Sequence, residues 1–171
     1  GGRMIVVDPR KTETAKIADQ WLPIKPGTDT ALLVAILKCV LESSDGLRPG
    51  LAEIVDDGLG QVAPAIARFD LEQLAEHCGI AGDDIRELAS AFNGDEPAAI
   101  YGRMGVSVCE FGTLNLWLVQ LINLVSGNLD RVGGAMFPQP LLEFVAQSGR
   151  GGIRTVETAR GTMPSVMNET P

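Results

Sequence analysis

Residues 4–37 read MIVVDPRKTETAKIADQWLPIKPGTDTALLVAIL, and the order of apolar runs, prolines and capping residues in this stretch decides the fold class. Met4–Val7 is a continuous apolar run that stops at Asp8-Pro9, since proline has no N–H to offer a strand ladder. Such a run is the pattern of a short strand buried on both faces of a parallel sheet. Thr12 stands where a hydroxyl can cap a short helix through Ala18, and Trp21–Ile24 reads as a second extended segment closed by Pro26-Gly27. Thr28 and Asp29 then precede Ala31–Leu41, a helix apolar nearly all round and therefore expected inside the molecule. Two strands joined through a helix imply parallel pairing, because antiparallel neighbours need no such crossover.

The rest of the chain extends the alternation. The turn Asp45-Gly46-Leu47-Arg48-Pro49-Gly50 ends the apolar helix, and Leu51–Ile66 reads as a helix start with a loop around Gly58-Leu59-Gly60. Asp70 and Gln73 have capping-box spacing before a helix to Cys78, and Gly82-Asp83-Asp84 opens a second helix, Ile85–Phe92, that stops at Asn93-Gly94. Ala98–Tyr101 reads as another buried strand, Gly102–Gly112 as a loop, and Thr113–Val125 as a long apolar helix whose Trp117 belongs to the core. The expected fold is α/β, a Rossmann-like parallel sheet flanked by helices, with a small helical hairpin as an insertion. Residues 1–140 form one domain in this reading, and 141–171, ending in a Gly, Thr and Pro-rich stretch, form an irregular connector. The chain reaches its first strand within three residues and without an initiator methionine, so the expectation is an internal piece of a larger functional unit.

Composition narrows the function classes. At 171 residues the chain has the size of one domain and needs no disulfide or metal staple to fold. Its 14 Lys+Arg against 22 Asp+Glu give a net charge of −8 with no basic run, which argues against nucleic acid as a partner. Cys39, Cys78 and Cys109 are scattered, form no CxxC pair and share the chain with a single histidine, His77, so a protein-only metal site is not expected. A scattered, odd set of thiols suits a reducing cytoplasm. The apolar stretches Ala31–Leu37 and Leu114–Val125 are too short or too interrupted by Asn115, Gln120 and Asn123 to span a membrane.

In open parallel sheets, ligands bind beyond the carboxyl ends of the strands, where the chain turns and the amides of following helices point. Asp8-Pro9-Arg10-Lys11-Thr12 and Gly102-Arg103-Met104-Gly105 are segments of that kind, with the Pro26-Gly27-Thr28-Asp29 turn at a helix start beside them. A carboxylate there can accept from ribose hydroxyls or from the N–H edge of a guanine, and Gly27 lets the backbone come close to a ligand. Together these residues describe a nucleotide pocket. Each also has a purely local reading: Asp8 or Asp29 as a helix cap, Gly27 as a turn residue, Arg10 and Arg103 as solvated charges, Met104 as core filler. His77 fits the C-terminus of its helix. Glu110 beside Cys109 resembles a catalytic pair only superficially, because no second base is near in sequence.

The stretch quoted above resembles the molybdopterin oxidoreductases, the family of formate dehydrogenases, nitrate reductases and dimethyl sulfoxide reductase. The resemblance rests on the order strand, DPR, TETA, AD and PGTD before a Leu-rich helix. A second block, YGRMGVSVCEFGTLNLWLVQLINLVSGNLDRVGGAMF, is similar to that family's later marker, a glycine-rich turn and helix closed by a Gly-Asn-Leu-x-Arg-x-Gly-Gly loop. The likeness covers roughly residues 3–140. It implies an α/β lobe that holds one molybdopterin guanine dinucleotide, with Asp8, Pro9, Arg10, Lys11 and Thr12 lining the guanosine end, Gly27, Thr28 and Asp29 closing on the guanine, and Met104 and Gly105 near the dinucleotide. Val108 stands where some relatives have a glutamine.

The same resemblance implies what lies elsewhere. The molybdenum ligand and an iron–sulfur cluster belong upstream of the DPR strand, and a further cofactor-binding domain belongs downstream. Missing domains of the same chain and an electron-transfer partner are then the expected partners, with no membrane. Neither Arg131 nor Arg150 matches the catalytic arginine of formate-specific relatives, so no catalytic residue and no metal ligand is assigned, and the chain by itself is expected to be inactive with no cofactor bound. The residues also admit two rival readings. One is a stand-alone α/β nucleotide-sensing or protein-interaction module using the acidic hairpin Asp70–Phe92; the other is a scaffold subunit that has lost the metal.

Overall fold

A computed structural model describes residues 2–43, 58–137, 154–158 and 161–165, arranged as two compact units, Gly1–Met136 and Phe137–Pro171. The expected turn at 45–50 lies outside the described residues.

The first unit begins with β1 (Ile5–Val7), α1 (Glu13–Ile17) and β2 (Gln20–Leu22). The strands pair in parallel with Ile5 opposite Gln20, Val6 opposite Trp21 and Val7 opposite Leu22. Thr12 caps α1 as its position implied: its Oγ1 accepts from the Ala15 amide at 3.3 Å. Burial of β1 on both faces does not hold. Met4 and Val7 are exposed and Ile5 and Val6 only half-buried, because this sheet has two strands among the described residues and so lacks the flanking strands that would enclose β1.

Helix α2 (Asp29–Ser43) is the hub. Leu32 through Leu37, Cys39 and Val40 are all buried, so the helix is enclosed on nearly every side, as an all-round apolar sequence requires. Around it pack α3 (Gly58–Ala67), α4 (Leu71–Cys78), α5 (Gly82–Asn93) and α7 (Gly112–Val125). The loop expected at Gly58-Leu59-Gly60 is instead the first turn of α3; a helix absorbs two glycines when its apolar residues, such as Ile66, have a core to join.

The expected helical hairpin is present as α4 and α5. Asp70 accepts from the Gln73 amide at 2.9 Å, and the Gly79 amide closes α4 on the Ala75 carbonyl at 2.8 Å. Arg86 of α5 reaches Glu72 of α4 at 2.7 Å and Asp83 at 2.9 Å, and His77 lies in the last turn of α4.

Ala98–Tyr101 is not a strand. Its backbone is satisfied by side chains: Asn123 accepts from the Ile100 amide at 3.0 Å and donates to the Ile100 carbonyl at 2.9 Å, while Asn128 accepts from the Ala98 amide at 3.3 Å. Two amides take the place of a neighbouring strand, so the segment is extended without extending the sheet, and the α/β expectation is met only by the β1–β2 pair rather than by a wider Rossmann-like sheet. The loop that follows contains a short helix, α6 (Met104–Ser107). Trp117, expected in the core, is 47% exposed on α7.

In the second unit, β3 (Arg154–Thr158) pairs antiparallel with β4 (Gly161–Ser165), Thr158 opposite Gly161, where the sequence reading has an irregular connector. The Thr and Val of this stretch suit a ladder, and a pairing between segments this close in sequence needs no hydrophobic periodicity to form.

Candidate functional site

Parallel pairing of β1 and β2 puts both carboxyl ends on one edge of the sheet, and the Asp8 amide donates to the Leu22 carbonyl at 3.2 Å across that edge. Asp8–Thr12 follows one strand directly and the Pro26–Asp29 turn follows the other after Pro23, Ile24 and Lys25, so two of the three predicted segments emerge from the same edge.

The Asp8 segment is tightly shaped. One carboxylate oxygen, Oδ1, accepts from the Arg10 amide at 2.8 Å, an Asx-turn that reverses the chain through Pro9, and the Thr12 amide donates to the Arg10 carbonyl at 2.8 Å. Asp8 therefore does not cap α1; Thr12 does. Trp21 Nε1 donates to the Asp8 carbonyl at 2.9 Å, and Lys11 Nζ lies 5.5 Å from the centre of the Trp21 ring. Arg10 and Lys11 are exposed.

At the second segment the helix-cap readings fail. The Thr28 hydroxyl turns back and donates to the Lys25 carbonyl at 2.6 Å, and the half-buried Asp29 carboxylate makes no hydrogen bond among the described residues. The Asp29 and Thr30 amides at the start of α2 also have no partner there, leaving donors and an acceptor together at the mouth of a fifteen-residue helix. Gly27 has φ +77°, the left-handed region, and a Cβ built on it would meet nothing within 4 Å, so the backbone presents an open face. Lys25 anchors the turn: its amide donates to the Cys78 carbonyl at 2.9 Å and its ammonium to the Glu76 carbonyl at 2.7 Å, the C-terminal end of α4.

Met104 and Gly105 form the first turn of α6. Met104 is 69% exposed, which removes the core-filler reading, and a Cβ on Gly105 would again meet open space. This third segment is tied to the second through α7. Asn115, fully buried, accepts from the Thr30 hydroxyl at 2.6 Å and donates to the Val106 carbonyl and to Cys109 Sγ, both at 3.1 Å. Arg103 reaches the Tyr101 hydroxyl at 3.3 Å.

Trp21, Lys25, Thr30 and Asn115 were not among the predicted site residues. A signal for Asn115 existed: an amide inside an otherwise apolar helix must find partners once buried. Lys25 and Thr30 carried none, since their roles depend on which helix end or side chain arrives beside them.

Other chemistry-bearing groups stand apart. Burial pushes the Cys39 and Cys78 thiols up from their ordinary value, which disfavours the thiolate form. A surface hollow of about 970 Å³ lies beside Lys38, Glu42, Asp70 and Arg86 and contains none of the predicted site residues. Two of its cations are already paired, Lys38 with Glu42 at 2.6 Å and Arg86 with Glu72 at 2.7 Å. No described helix is long and apolar enough to cross a membrane.

Comparison with known proteins agrees with the sequence resemblance. No family model matches the chain. It is 34% identical over 128 residues to the assimilatory nitrate reductase of Haloferax mediterranei, covering 75% of this chain and 17% of that protein. It is 30% identical over 138 residues to the alpha subunit of a formate dehydrogenase of Methanococcus maripaludis, covering 81% of this chain and 20% of that protein. Among solved structures, acetylene hydratase from Pelobacter acetylenicus superposes with a TM-score of 0.65 at 26% identity, covering 73% of this chain and 17% of that one. The chain thus spans about a fifth of the length of the curated relatives it matches.

Proposed function

The chain belongs to the molybdopterin oxidoreductase family, and on that premise we propose that it is the part of such an enzyme that holds the guanosine end of a molybdopterin guanine dinucleotide. What carries the reading is the Gly27–Thr30 stretch: a carboxylate and two amides without partners among the described residues beside an open glycine, following the same sheet edge as the Asp8 turn.

The donor set fits the group. Guanine offers N1–H and an exocyclic amine on one edge, which one carboxylate accepts together, and Asp29 has no hydrogen bond among the described residues to compete with this. The second oxygen of Asp8 likewise has no partner among the described residues beyond the bond of the first to the Arg10 amide, and suits ribose hydroxyls. The amides of Asp29 and Thr30, with the exposed cations Arg10, Lys11 and Arg103, suit phosphate oxygens. Met104 and Gly105 add an exposed thioether and open backbone for the flat body of the ligand. When bound, the cofactor's molybdenum supplies oxidation-state changes for oxygen-atom or hydride-equivalent transfer, and this chain supplies placement and electrostatics. The molybdenum ligand, an iron–sulfur cluster and the electron partner belong in this reading to the rest of the enzyme, and the 171-residue chain is inactive alone.

Calorimetric titration with GDP and ADP tests it. The expected result is weak, millimolar-range binding of GDP with at least a tenfold preference over ADP, because adenine reverses the donor pattern that a carboxylate reads. Nanomolar affinity for GDP, or equal affinity for ADP, would overturn the assignment.

A further inference from the structure

We infer that Asn115 is a positioning residue: it locks the segment from Arg103 to Cys109 against the first turn of α2, so that Met104-Gly105 and Gly27–Asp29 face one ligand as a single surface. The ligand half of this statement rests on the guanosine reading above; the mechanical half does not.

Asn115 lies on α7 where that helix meets both α2 and α6, and it uses its whole amide. Its oxygen takes the Thr30 hydroxyl at 2.6 Å, and its two N–H groups go to the Val106 carbonyl and Cys109 Sγ at 3.1 Å each. The orientation is dictated, because a flipped amide would set oxygen against the Val106 carbonyl oxygen. The partners are next to the proposed ligand residues: Thr30 follows Asp29, and Val106 follows Gly105. An apolar side chain would satisfy the packing of a fully buried α7 position, yet only an amide joins a hydroxyl on one helix to a carbonyl on another.

The link is readable without cofactor. Thr30→Val keeps the shape of the side chain and leaves the Asn115 oxygen without its donor, whereas Thr30→Ser keeps the hydroxyl. Hydrogen exchange of the full chain then follows the Val106 and Val108 amides, which bond to the Arg103 and Met104 carbonyls at 3.0 Å each. Thr30→Val is expected to speed their exchange about tenfold while the Leu37 and Ile122 amides keep their rates, and Thr30→Ser to restore the original rates. Unchanged rates at Val106 and Val108, or equal acceleration at Leu37 and Ile122, would overturn the inference. Repeating the measurement in millimolar GDP separates the two claims. Slower exchange at Gly27–Asp29 and Gly105 supports the shared surface; its absence alongside the tenfold effect removes the ligand and keeps the lock.

Discussion

Trp21 Nε1 holds the carbonyl oxygen of Asp8 at 2.9 Å, so the strand that pairs with β1 also fixes the turn that leaves it. Trp21→Phe keeps a ring for Lys11 to rest on and deletes this one bond. The expected cost is about 1 kcal/mol in urea unfolding, with faster exchange of the Arg10 and Thr12 amides and several-fold weaker GDP binding. If GDP binding is unaltered, the Asp8 turn is not part of the ligand surface.

Asn123 substitutes for a strand. It is fully buried and bonds both the N–H and the C=O of Ile100, so Asn123→Leu would leave two backbone groups without partners. A loss of about 3 kcal/mol is expected in chemical denaturation, against less than about 0.5 kcal/mol for Gln120→Ala on the exposed side of the same helix. Similar costs for the two variants would contradict the account of residues 98–101.

That substitution also explains which parts of the molecule were legible in the sequence. Helices α2, α4, α5 and α7 follow from apolar periodicity and from caps such as Asp70, which are local signals. Ala98–Tyr101 has the residues of a strand, but what pairs with it is Asn123 and Asn128, an arrangement that depends on how α7 packs. Trp117 fails for a related reason: apolar character predicts a helix, while the side facing the core depends on its neighbours. At the site, the turns of Asp8 and Gly27 were readable from Pro and Gly, whereas the hydroxyl of Thr30 gains its meaning only from Asn115.

Glycines in two helices should respond oppositely to alanine. A Cβ at Gly112 would collide with the Ser107 carbonyl, where α6 abuts the start of α7. Gly60 lies inside α3 with nothing within 4 Å of that direction. Gly112→Ala is expected to lose about 3 kcal/mol, and Gly60→Ala to gain about 0.5–1 kcal/mol. Paired melting curves check both, and a neutral Gly112→Ala would show that the α6–α7 junction yields.

The buried thiols set an alkaline limit. Burial raises Cys39 and Cys78 above the ordinary thiol value of 9.0, so in the folded chain they keep protons that the unfolded chain gives up. Their contribution is complete below that value and is lost as pH rises past it, at up to about 1.4 kcal/mol per pH unit for each thiol. Stability measured from pH 7 to 10 should fall above about pH 9. Cys78→Ala should flatten that fall while lowering stability at neutral pH, and an unchanged slope in this variant would reject the assignment to Cys78.

Asp29 separates binding from folding. Its carboxylate has no hydrogen bond among the described residues and lies in the first turn of α2, where its favourable interaction with the helix dipole is worth about 0.5 kcal/mol. Asp29→Ala should therefore hardly change the unfolding midpoint, yet remove the acceptor proposed for the guanine edge. In the chain alone, the preference for GDP over ADP should disappear, because the amides that suit phosphate remain while the group that reads the base is gone. In the intact enzyme the same change should lower cofactor occupancy, read as molybdenum content per protein. Asp29→Asn refines the test: it keeps one acceptor oxygen but sets an N–H₂ against the guanine donors, so it should discriminate no better than alanine. Full molybdenum content in both variants would place the guanine elsewhere.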